Sequence, residues 1–589
     1  MAATRRQPRV RRRARSPKPP RVALRRRLLM VLMASALVAT VGGAFYRQVV
    51  ENDFLKTEGE RRHLRLSEIP ARRGMIFDRH GEPLAVSTPV TTYWADPRVF
   101  AAHEHQTDAV ARALNLDAER LRERFESNRG RAFMYLKRRV HPREAEALDA
   151  LIAREGIQGI GTETEYRRFY PSAEVFGHVL GFTDIEDQGQ EGLERAFEAQ
   201  LSARPGLRRV IQDGRRTQVA ELELVRLPRD GRDLTVSLDR RLQFIAYREL
   251  KRAVAEHKAL GGSAVILDVQ SGEILAMVNQ PGYNPNAVRE GGVDHRRNRA
   301  LTDVFEPGST VKPFIVLAAL ELSLVGPHTT IDTRPGVMTV GRNRVRDVRD
   351  FGVLDTTGVI TRSSNIGVVK LAQRMDRSVI WQVYDRVGFG SRTDSGFPGE
   401  SPGVLPHFRR WSQFDQAVLS FGYGLSTTAL QLAQSYAVLA ADGVKRPVTL
   451  IKRDGPPPPG VRVLGAQSTR QVRAMMETVV SSPQGTARRA AIEGYRVAGK
   501  TGTSKKSAGR QGYTGNRYQA VFAGMVPVDN PRFVMVVMID EPRGASHFGG
   551  QVAAPVFARV MENAVRLYNV PPDDPAGSLL LVGTAEVAQ

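Results

Sequence analysis

The strongest candidates for covalent chemistry are a serine and a lysine three residues apart, Ser309 and Lys312. They lie in the stretch FEPGSTVKPFIVLAAL, where Pro307 and Gly308 predict a turn and apolar residues at helical spacing follow. Because proline is tolerated only near the start of a helix, Pro313 places that start close to Ser309. The serine hydroxyl would then lie at a helix N-terminus, where free backbone amides favour negative charge.

Lys312 would lie on the same helical face as Ser309 and within reach of its hydroxyl. A lysine with its free pKa of about 10.4 is a poor base, so burial or a second cation would have to lower that pKa. The pair predicts a serine nucleophile with a lysine base. Alone it is weak evidence, because the pattern Ser-x-x-Lys occurs often by chance.

A second candidate is the segment Ser363-Ser364-Asn365 in TRSSNIGVVKLA, whose apolar residues predict a following helix. Ser363 could relay a proton, and Asn365 could orient a substrate amide. The alternative is a helix N-cap with solvated neighbours, which would be preferred if the segment stood alone.

A third candidate is Lys500-Thr501-Gly502-Thr503 at the end of YRVAGKTGTS. On a strand, Thr501 and Thr503 share one face and would offer two hydroxyls to an anion, while Gly502 would leave room for a substrate backbone. The side chain of Lys500 projects from the opposite face of the strand, so it must bend around the strand to reach the same cavity.

The segment GYRVAGKT, Gly494–Thr501, also satisfies the phosphate-loop pattern GxxxxGK[ST]. That loop needs a glycine-rich turn before the lysine and a helix beginning at it. Here Tyr-Arg-Val-Ala is typical of a strand, and SKKSAGRQGYTGN follows without helical periodicity. The sequence therefore favours a strand over a nucleotide site.

The N-terminus combines a basic tail with one apolar stretch. Residues 1–27 contain 12 arginines and lysines and no Asp or Glu, which is half of the formal net charge of +24. Leu28–Tyr46 is uncharged and close to the roughly 20 residues that span a bilayer as a helix. Arginines before it and mixed charges after it predict a cytoplasmic N-terminus, with the rest of the chain outside. A cleaved signal peptide is the alternative, although its apolar core is usually shorter, about 7 to 15 residues.

This charge distribution argues against nucleic acid as a partner, because a membrane anchor already explains the basic tail. The chain of 589 residues is long enough for two or more folded domains. It has no cysteine, and its 11 histidines form no HExxH pattern, so neither a disulfide nor a catalytic zinc is predicted. We expect no metal and no cofactor.

The pattern of elements predicts an α+β fold for the second half. Asp233–Leu238 alternates like a strand, Asp239 is placed to cap a helix through His257, and Ser263–Val278 predicts two strands joined at Ser271-Gly272. Helices are predicted in the middle of this half, and strands again near its end; these are Val311–Leu322 and Thr427–Ala441, then Tyr495–Thr503, Ala520–Val526 and Phe533–Ile539. Strands at both ends imply an antiparallel sheet completed by both ends of the domain.

Taken in order, Ser-x-x-Lys, Ser-x-Asn and Lys-Thr-Gly resemble the active-site set of penicillin-binding proteins and serine β-lactamases. Upstream, four segments resemble the pedestal motifs of class B penicillin-binding proteins; they are RGMIFDRHG from Arg73, RFYP from Arg168, HVLGF from His178 and EGLE from Glu191. The segment SFGYGLSTT, from Ser420, is similar to the division-specific FtsI branch. The resemblance covers the chain from Arg73 to about Met561.

This resemblance implies a penicillin-binding transpeptidase fold, an antiparallel sheet flanked by helices, on an elongated pedestal with one transmembrane helix. The implied division is 1–27 cytoplasmic tail, 28–47 anchor, 48–230 pedestal of the dimerisation type, 231–568 transpeptidase domain and 569–589 C-terminal tail. The implied protein lies in the inner membrane with its catalytic domain in the periplasm. Its partners would be an FtsW-type glycosyltransferase and other divisome membrane proteins.

The implied reaction is septal D,D-transpeptidation of peptidoglycan stem pentapeptides, with β-lactams acylating the same serine. The implied site residues are Ser309 as nucleophile, Lys312 as its base, Ser363 and Lys500 as proton relay, and Asn365, Thr501, Gly502 and Thr503 as substrate-binding residues. The backbone amides of Ser309 and Thr503 would form the oxyanion hole.

The chain departs from the family pattern at His80, where asparagine is common, and at His547-Phe548, where tyrosine is expected.

Three other functions are alternatives to a class B transpeptidase. A β-lactamase is normally short and lacks a pedestal, and a bifunctional class A enzyme needs a glycosyltransferase domain in place of residues 48–230. A division scaffold or β-lactam sensor would not need an intact catalytic set.

Overall fold

The computed structural model describes residues 22–50, 64–212, 218–290, 292–506, 512–513 and 515–574. Most of the basic tail and of the C-terminal tail, residues 1–21 and 575–589, lie outside the described residues. The chain forms two compact units, one containing residues up to 69 together with 206–227, and the other containing 70–205 and the chain from 228 onward.

The elements are numbered along the chain. The helices are α1 Val22–Phe45, α2 Pro97–Phe100, α3 Thr107–Ala113, α4 Ala118–Ser127, α5 Pro142–Glu155, α6 Gly177–Leu180, α7 Gly192–Ala196, α8 Glu198–Leu201, α9 Arg240–Glu256, α10 Arg299–Thr302, α11 Lys312–Glu321, α12 Thr356–Thr361, α13 Asn365–Ala372, α14 Arg377–Val387, α15 Gln413–Ser420, α16 Ala429–Ala440, α17 Ala466–Ser481, α18 Gly549–Val552 and α19 Ala554–Leu567. The strands are β1 Leu64–Ile69, β2 Ile76–Phe77, β3 Pro83–Ala95, β4 Met134–Val140, β5 Ile160–Phe169, β6 Gly206–Gln212, β7 Gln218–Arg226, β8 Leu234–Thr235, β9 Gly261–Asp268, β10 Ile274–Gln280, β11 Thr330–Asp332, β12 Val337–Val340, β13 Asn343–Arg346, β14 Val353–Asp355, β15 Val444–Lys445, β16 Val461–Arg462, β17 Ala498–Lys505, β18 Tyr518–Val526 and β19 Phe533–Asp540.

The first unit contains α1 and a three-stranded antiparallel sheet in the order β1-β6-β7. A helical segment, Val22–Val50, is long and apolar enough to cross a membrane, with a mean hydropathy of 2.2. The helix begins at Val22, six residues before the predicted anchor. Arginine is a good helix former, so Arg25–Arg27 are part of the helix. By length and composition, this helix fits a single-pass membrane anchor.

The sheet of the second half confirms the predicted arrangement. Its order is β10-β9-β19-β18-β17 and every neighbouring pair is antiparallel, so strands from both ends of the domain complete it. Asp239 caps α9 by accepting from the amides of Arg241 and Leu242, as predicted. Almost every residue of β9, β10, β18 and β19 is buried, because helices cover both faces.

Two predicted elements have different bounds. Asp233–Leu238 shortens to β8, which pairs with β2 over only two residues. The strand expected from Tyr495 begins at Ala498, since Tyr495 closes a turn with Ile492. Upstream, the chain over residues 107–127 forms two helices, α3 and α4, because Asn115 adopts φ 50° and Asp117 then caps α4.

A buried ion cluster joins three of the four upstream segments that resemble pedestal motifs. Arg73 Nε donates to Glu194 Oε2 at 2.8 Å, and Arg168 Nε donates to Glu194 Oε1 at 2.7 Å. Arg73 also donates to Glu198 at 2.7 Å. The side chains of Arg73, Arg168 and Glu194 are at most 2% exposed. Water could therefore not replace the carboxylate as a hydrogen-bond partner of either arginine.

We therefore expect Glu194→Ala to lower the free energy of unfolding by about 3–5 kcal/mol, since it removes the carboxylate that pairs with the buried Arg168 and one of the two that pair with Arg73. Chemical denaturation of the full-length protein in detergent measures this loss. The matched control is Glu562→Ala, which removes an exposed pair with Arg566 and is expected to change stability by less than about 1 kcal/mol. Equal effects of the two variants would contradict the assignment.

Candidate active site

Ser309 lies where a turn becomes a helix. Gly308 adopts φ +55°, and a single 3-10 turn, Gly308–Val311, leads into α11 at Lys312. The expected helix start near Ser309 is confirmed, with Pro313 in its first turn. Nearly every side chain of α11 is buried, so the core holds the helix that carries the site.

Lys312 is fully buried and makes three polar contacts. Its Nζ donates to Ser363 O at 2.6 Å, to Ser363 Oγ at 3.2 Å and to Asn365 Oδ1 at 2.7 Å. Burial lowers the pKa of Lys312 to about 7, against the opposing effect of the nearby Asp347 carboxylate. Near neutral pH, a substantial fraction of this amine is therefore uncharged.

The Ser-x-Asn segment is held by Asp347, which follows β13. Asp347 accepts hydrogen bonds from Ser364 Oγ and from the backbone amides of Asn365 and Ile366, the last at 3.1 Å. Ser364 caps α13 through the amide of Gly367. Asp347 and Ser364 together fix the first turn of α13, so Asn365 projects toward Lys312.

Ser363 and Asn365 are oriented by the backbone around them. Ser363 adopts φ +60°, in the left-handed region that few non-glycine residues occupy. Asn365 Nδ2 donates to Arg346 O at 2.8 Å while its Oδ1 faces Lys312. The N-cap interpretation thus applies to Ser364, which leaves Ser363 and Asn365 free to contact Lys312.

Strand β17 forms the opposite side of the site. Lys500 is buried, and its Nζ lies 3.4 Å from Thr501 O. Burial lowers the pKa of Lys500, and repulsion from the Lys312 ammonium lowers it further. Lys500 thus reaches the neighbourhood of Lys312 from the far face of the strand.

The two threonines of β17 each have a polar neighbour from another segment. Thr501 Oγ1 lies 2.9 Å from Thr486 Oγ1, and Thr503 Oγ1 accepts from the amide of Gly549 at 3.1 Å. These contacts restrict the rotamers of both hydroxyls. An anion placed along β17 would therefore meet hydroxyls that are already positioned.

Gly502 is also required by the packing of the protein itself. A Cβ at Gly502 would lie 2.7 Å from Pro307 O and 3.0 Å from Thr310 Cγ2, so the space beside it is occupied by the protein's own loop. Ser504 Oγ also donates to Glu306 O at 2.9 Å. This close packing brings β17 against the turn that carries Ser309.

The same packing places the backbone of Thr503 close to Gly308. A Cβ on Gly308 would lie 3.7 Å from the amide nitrogen of Thr503, and the amide of Ser309 directly follows Gly308. Thr310 O accepts from Tyr436 OH at 2.8 Å, which fixes the turn from beneath. The arrangement could stabilise a negative oxygen beside Ser309.

Asp347 and Thr486 contact the site residues but were not predicted from the sequence. Neither belongs to a short motif, and each lies at least 14 residues from the segment it contacts. His547, an unusual residue in the resemblance, stacks on Tyr518 with ring centroids 4.0 Å apart. Among the described residues, no three His, Cys, Asp or Glu side chains are grouped to hold a metal.

Comparisons with known proteins agree with this geometry. The family described as Penicillin binding protein transpeptidase domain matches residues 262–562, and the Penicillin-binding Protein dimerisation domain matches residues 68–236. The chain is 42% identical to Probable peptidoglycan D,D-transpeptidase PbpC of Pseudomonas aeruginosa over 93% of its length and 96% of that protein. It is also 42% identical to Peptidoglycan D,D-transpeptidase FtsI of Escherichia coli K12, over 93% and 92% of the two chains.

Solved structures show the same fold. Penicillin binding protein 3 of Mycobacterium tuberculosis, complexed with aztreonam, is 28% identical with a TM-score of 0.67, and the alignment covers 86% of this chain and 99% of that one. The transpeptidase domain of Burkholderia pseudomallei penicillin-binding protein 3 is 44% identical with a TM-score of 0.53, over 57% and 97% of the two chains. The chain therefore belongs to the class B penicillin-binding proteins, a family of serine-type peptidoglycan D,D-transpeptidases.

Proposed function

We propose that this chain cross-links peptidoglycan stem peptides at the division septum through an acyl-enzyme on Ser309, and that β-lactams inhibit it by acylating the same serine. The observation that carries the proposal is the buried Lys312 amine, which has a pKa near 7 and contacts both Ser363 and Asn365. An uncharged amine beside a serine at a helix start is what activation of that serine requires.

In the first half-reaction, Lys312 takes the proton of the Ser309 hydroxyl as Oγ attacks the carbonyl carbon of the penultimate D-alanine. The carbonyl oxygen becomes an oxyanion held by the amides of Ser309 and Thr503. The peptide bond breaks, and the departing amine of the last D-alanine takes a proton through Ser363. Thr501 and Thr503 hold the terminal carboxylate throughout.

In the second half-reaction, the amine of a neighbouring stem peptide attacks the ester carbonyl of the acyl-enzyme. Its proton passes through Ser363 toward Lys312, and Ser309 Oγ recovers a proton as the ester bond breaks. Lys500, whose pKa is lowered by burial and by the Lys312 ammonium, assists Ser363 in this proton relay. Asn365 orients the peptide amide of the donor.

The septal assignment rests on the 42% identity to a protein named FtsI. In this assignment α1 anchors the chain in the inner membrane with its N-terminus in the cytoplasm and its site in the periplasm. An FtsW-type glycosyltransferase would supply the glycan strands whose peptides are cross-linked.

The experiment is covalent labelling of the full-length protein in detergent with a fluorescent penicillin, followed by peptide mass analysis of the adduct. Turnover of a D-alanyl-D-alanine donor with an amine acceptor is measured alongside. A single adduct on the peptide containing Ser309, together with formation of the transfer product, is expected. Absence of label would overturn the proposal in favour of a scaffold, and label without turnover would leave a β-lactam sensor.

The rate of acylation is expected to rise about tenfold per pH unit up to pH 7 and to level off above it. The sign follows because only the uncharged form of Lys312 accepts the proton of Ser309, and that form grows as pH rises through its pKa of about 7. The second-order rate constant for acylation, measured from pH 5 to pH 9 with an uncharged-side-chain β-lactam, reports this inflection. A profile that keeps rising to pH 10 would contradict it.

A further inference from the structure

A group of positively charged side chains lies beside the Ser-x-Asn segment and has no role in the proposed acylation. We call it the arginine surface. Its members are the exposed Arg342, Arg344, Arg346 and Arg349 and the half-buried Arg362. In the part of the chain that the structure describes, none of the five has an acidic partner within 4.0 Å. The surface therefore carries positive charge that the fold itself does not neutralise.

The hairpin of β12 and β13 determines which way two of these arginines face. Met338, Val340 and Val345 pack on one side of the hairpin, against a small core that includes Val369 and Ala417. Because side chains alternate along a strand, Arg344 and Arg346 both lie on the other side. They are opposite Thr339 and Val337 in the register, and all four side chains are exposed.

Arg349 and Arg362 are held together by one aromatic ring. Their guanidinium carbons lie 5.5 Å and 5.7 Å from the centre of the Phe351 ring. Cation–π attraction offsets the repulsion between the two like charges. Arg362 also donates to Gln484 and directly precedes Ser363. The pair of Arg349 and Arg362 therefore lies next to the site.

The arginine surface begins at the site itself. The carbonyl of Arg346 accepts from Asn365 Nδ2 at 2.8 Å, whereas the two threonine hydroxyls for the donor lie on β17, across from Lys312. The acidic residues in this segment are Asp347, which is engaged by α13, and Asp350, which accepts from Gly352 at 2.8 Å. An anionic ligand at this end of the site would meet several arginines and at most one free carboxylate.

We propose that the arginine surface binds the free carboxylates of the acceptor stem peptide, the second substrate of the transfer; this rests on the proposed function. The donor's terminal carboxylate is assigned to Thr501 and Thr503. The acceptor must bring its amine to Ser363 and Lys312, on the side where the arginines lie. Guanidinium groups bind carboxylates through paired hydrogen bonds, and a field of one sign raises the local concentration of an anionic substrate.

The test uses full-length protein in detergent, a D-alanyl thioester donor, and two acceptor peptides that differ only in having free or amidated carboxylates. Hydrolysis and transfer are followed separately for the wild type and for Arg344→Gln/Arg349→Gln. The control is Arg392→Gln/Arg409→Gln, which removes two exposed arginines from other segments of the chain. The variant Arg344→Lys/Arg349→Lys retains the charge.

We expect the glutamine pair to raise KM for the carboxylate acceptor about 3- to 20-fold, as two exposed ion pairs would, and to reduce its dependence on salt. KM for the amidated acceptor and the rate of acylation by donor should stay unchanged. The lysine pair should keep most of the binding, and the control pair should match the wild type.

Three results would overturn the proposal. The first is an equal KM for the carboxylate acceptor in the wild type and the glutamine pair. The second is a change in the rate of acylation by the donor with no change in KM for the acceptor, which would assign the arginine surface to the donor stem peptide. The third is the same effect in the control pair. If the wild type is not acylated, the proposed function fails separately, and fluorescence anisotropy of the carboxylate acceptor on Ser309→Ala protein still tests the arginine surface.

Discussion

Replacing Ser309 with alanine is expected to abolish covalent labelling by penicillin and to lower transpeptidation by at least about 10⁴-fold. Oγ is the atom that forms the acyl bond, and no other residue of the site offers a nucleophile at the same place. Lys312 donates to Ser363 and Asn365 rather than to Ser309, so removing the hydroxyl leaves the rest of the network intact. Fluorescence of the labelled protein after denaturing electrophoresis measures the first loss.

The matched control for that variant is Ser504→Ala, which removes a buried hydroxyl of β17 that donates to Glu306 O in the loop before Ser309. It should keep labelling within about tenfold of the wild type, because it changes packing and not the nucleophile. Equal thermal stability of Ser309→Ala and the wild type shows that the loss is chemical. Persistent labelling of Ser309→Ala at the wild-type rate would refute Ser309 as the acylated residue.

The central sheet was predictable because each of its strands carries a local signal. Ser263–Val278 contains two apolar runs separated by Ser271-Gly272, and the structure turns at that place. Asp239 is followed by helix-forming residues and caps α9 as predicted. The predicted bounds of a strand were wrong where the pairing strand determines its end. β8, for example, pairs with only two residues of β2.

The site was predictable in its motif residues and not in their supports. Lys312, Ser363 and Asn365 were chosen from short patterns and meet within 3.2 Å. Asp347 and Thr486 are brought to the site by the hairpin and by the loop after α17, so only the tertiary fold identifies them. Gly502 was predicted for substrate access, but its contact with Pro307 O depends on a loop almost 200 residues away.

The pKa of Lys312 could not be predicted from the sequence either. The sequence shows a lysine at helical spacing from a serine, but burial is a property of the packing around α11. The structure supplies the apolar surroundings that lower this pKa to about 7, against the opposing effect of the Asp347 carboxylate. The requirement stated from chemistry alone, that this lysine be neutral, is therefore met by burial for a substantial fraction of the amine near neutral pH.

Replacing Lys312 with methionine is therefore expected to slow acylation by about 10²- to 10⁴-fold, the range attributed to a general base. Methionine has a similar length and suits the buried pocket, but it cannot accept the proton of Ser309. Lys312→Arg should be equally slow, because a guanidinium remains charged at every accessible pH. Rapid-mixing kinetics with the fluorescent penicillin measure the rate constant of acylation.

Two further measurements distinguish loss of the catalytic base from loss of the folded site. The control Lys258→Met, at an exposed lysine in the turn after α9, should acylate at the wild-type rate. Thermal unfolding of the Lys312 variants shows whether the site still forms, and the residual acylation should lose its inflection near pH 7. If Lys312→Met acylates within tenfold of the wild type, or keeps that inflection, the base must be another group. Lys500, the second buried amine of the site, would then be the residue to test.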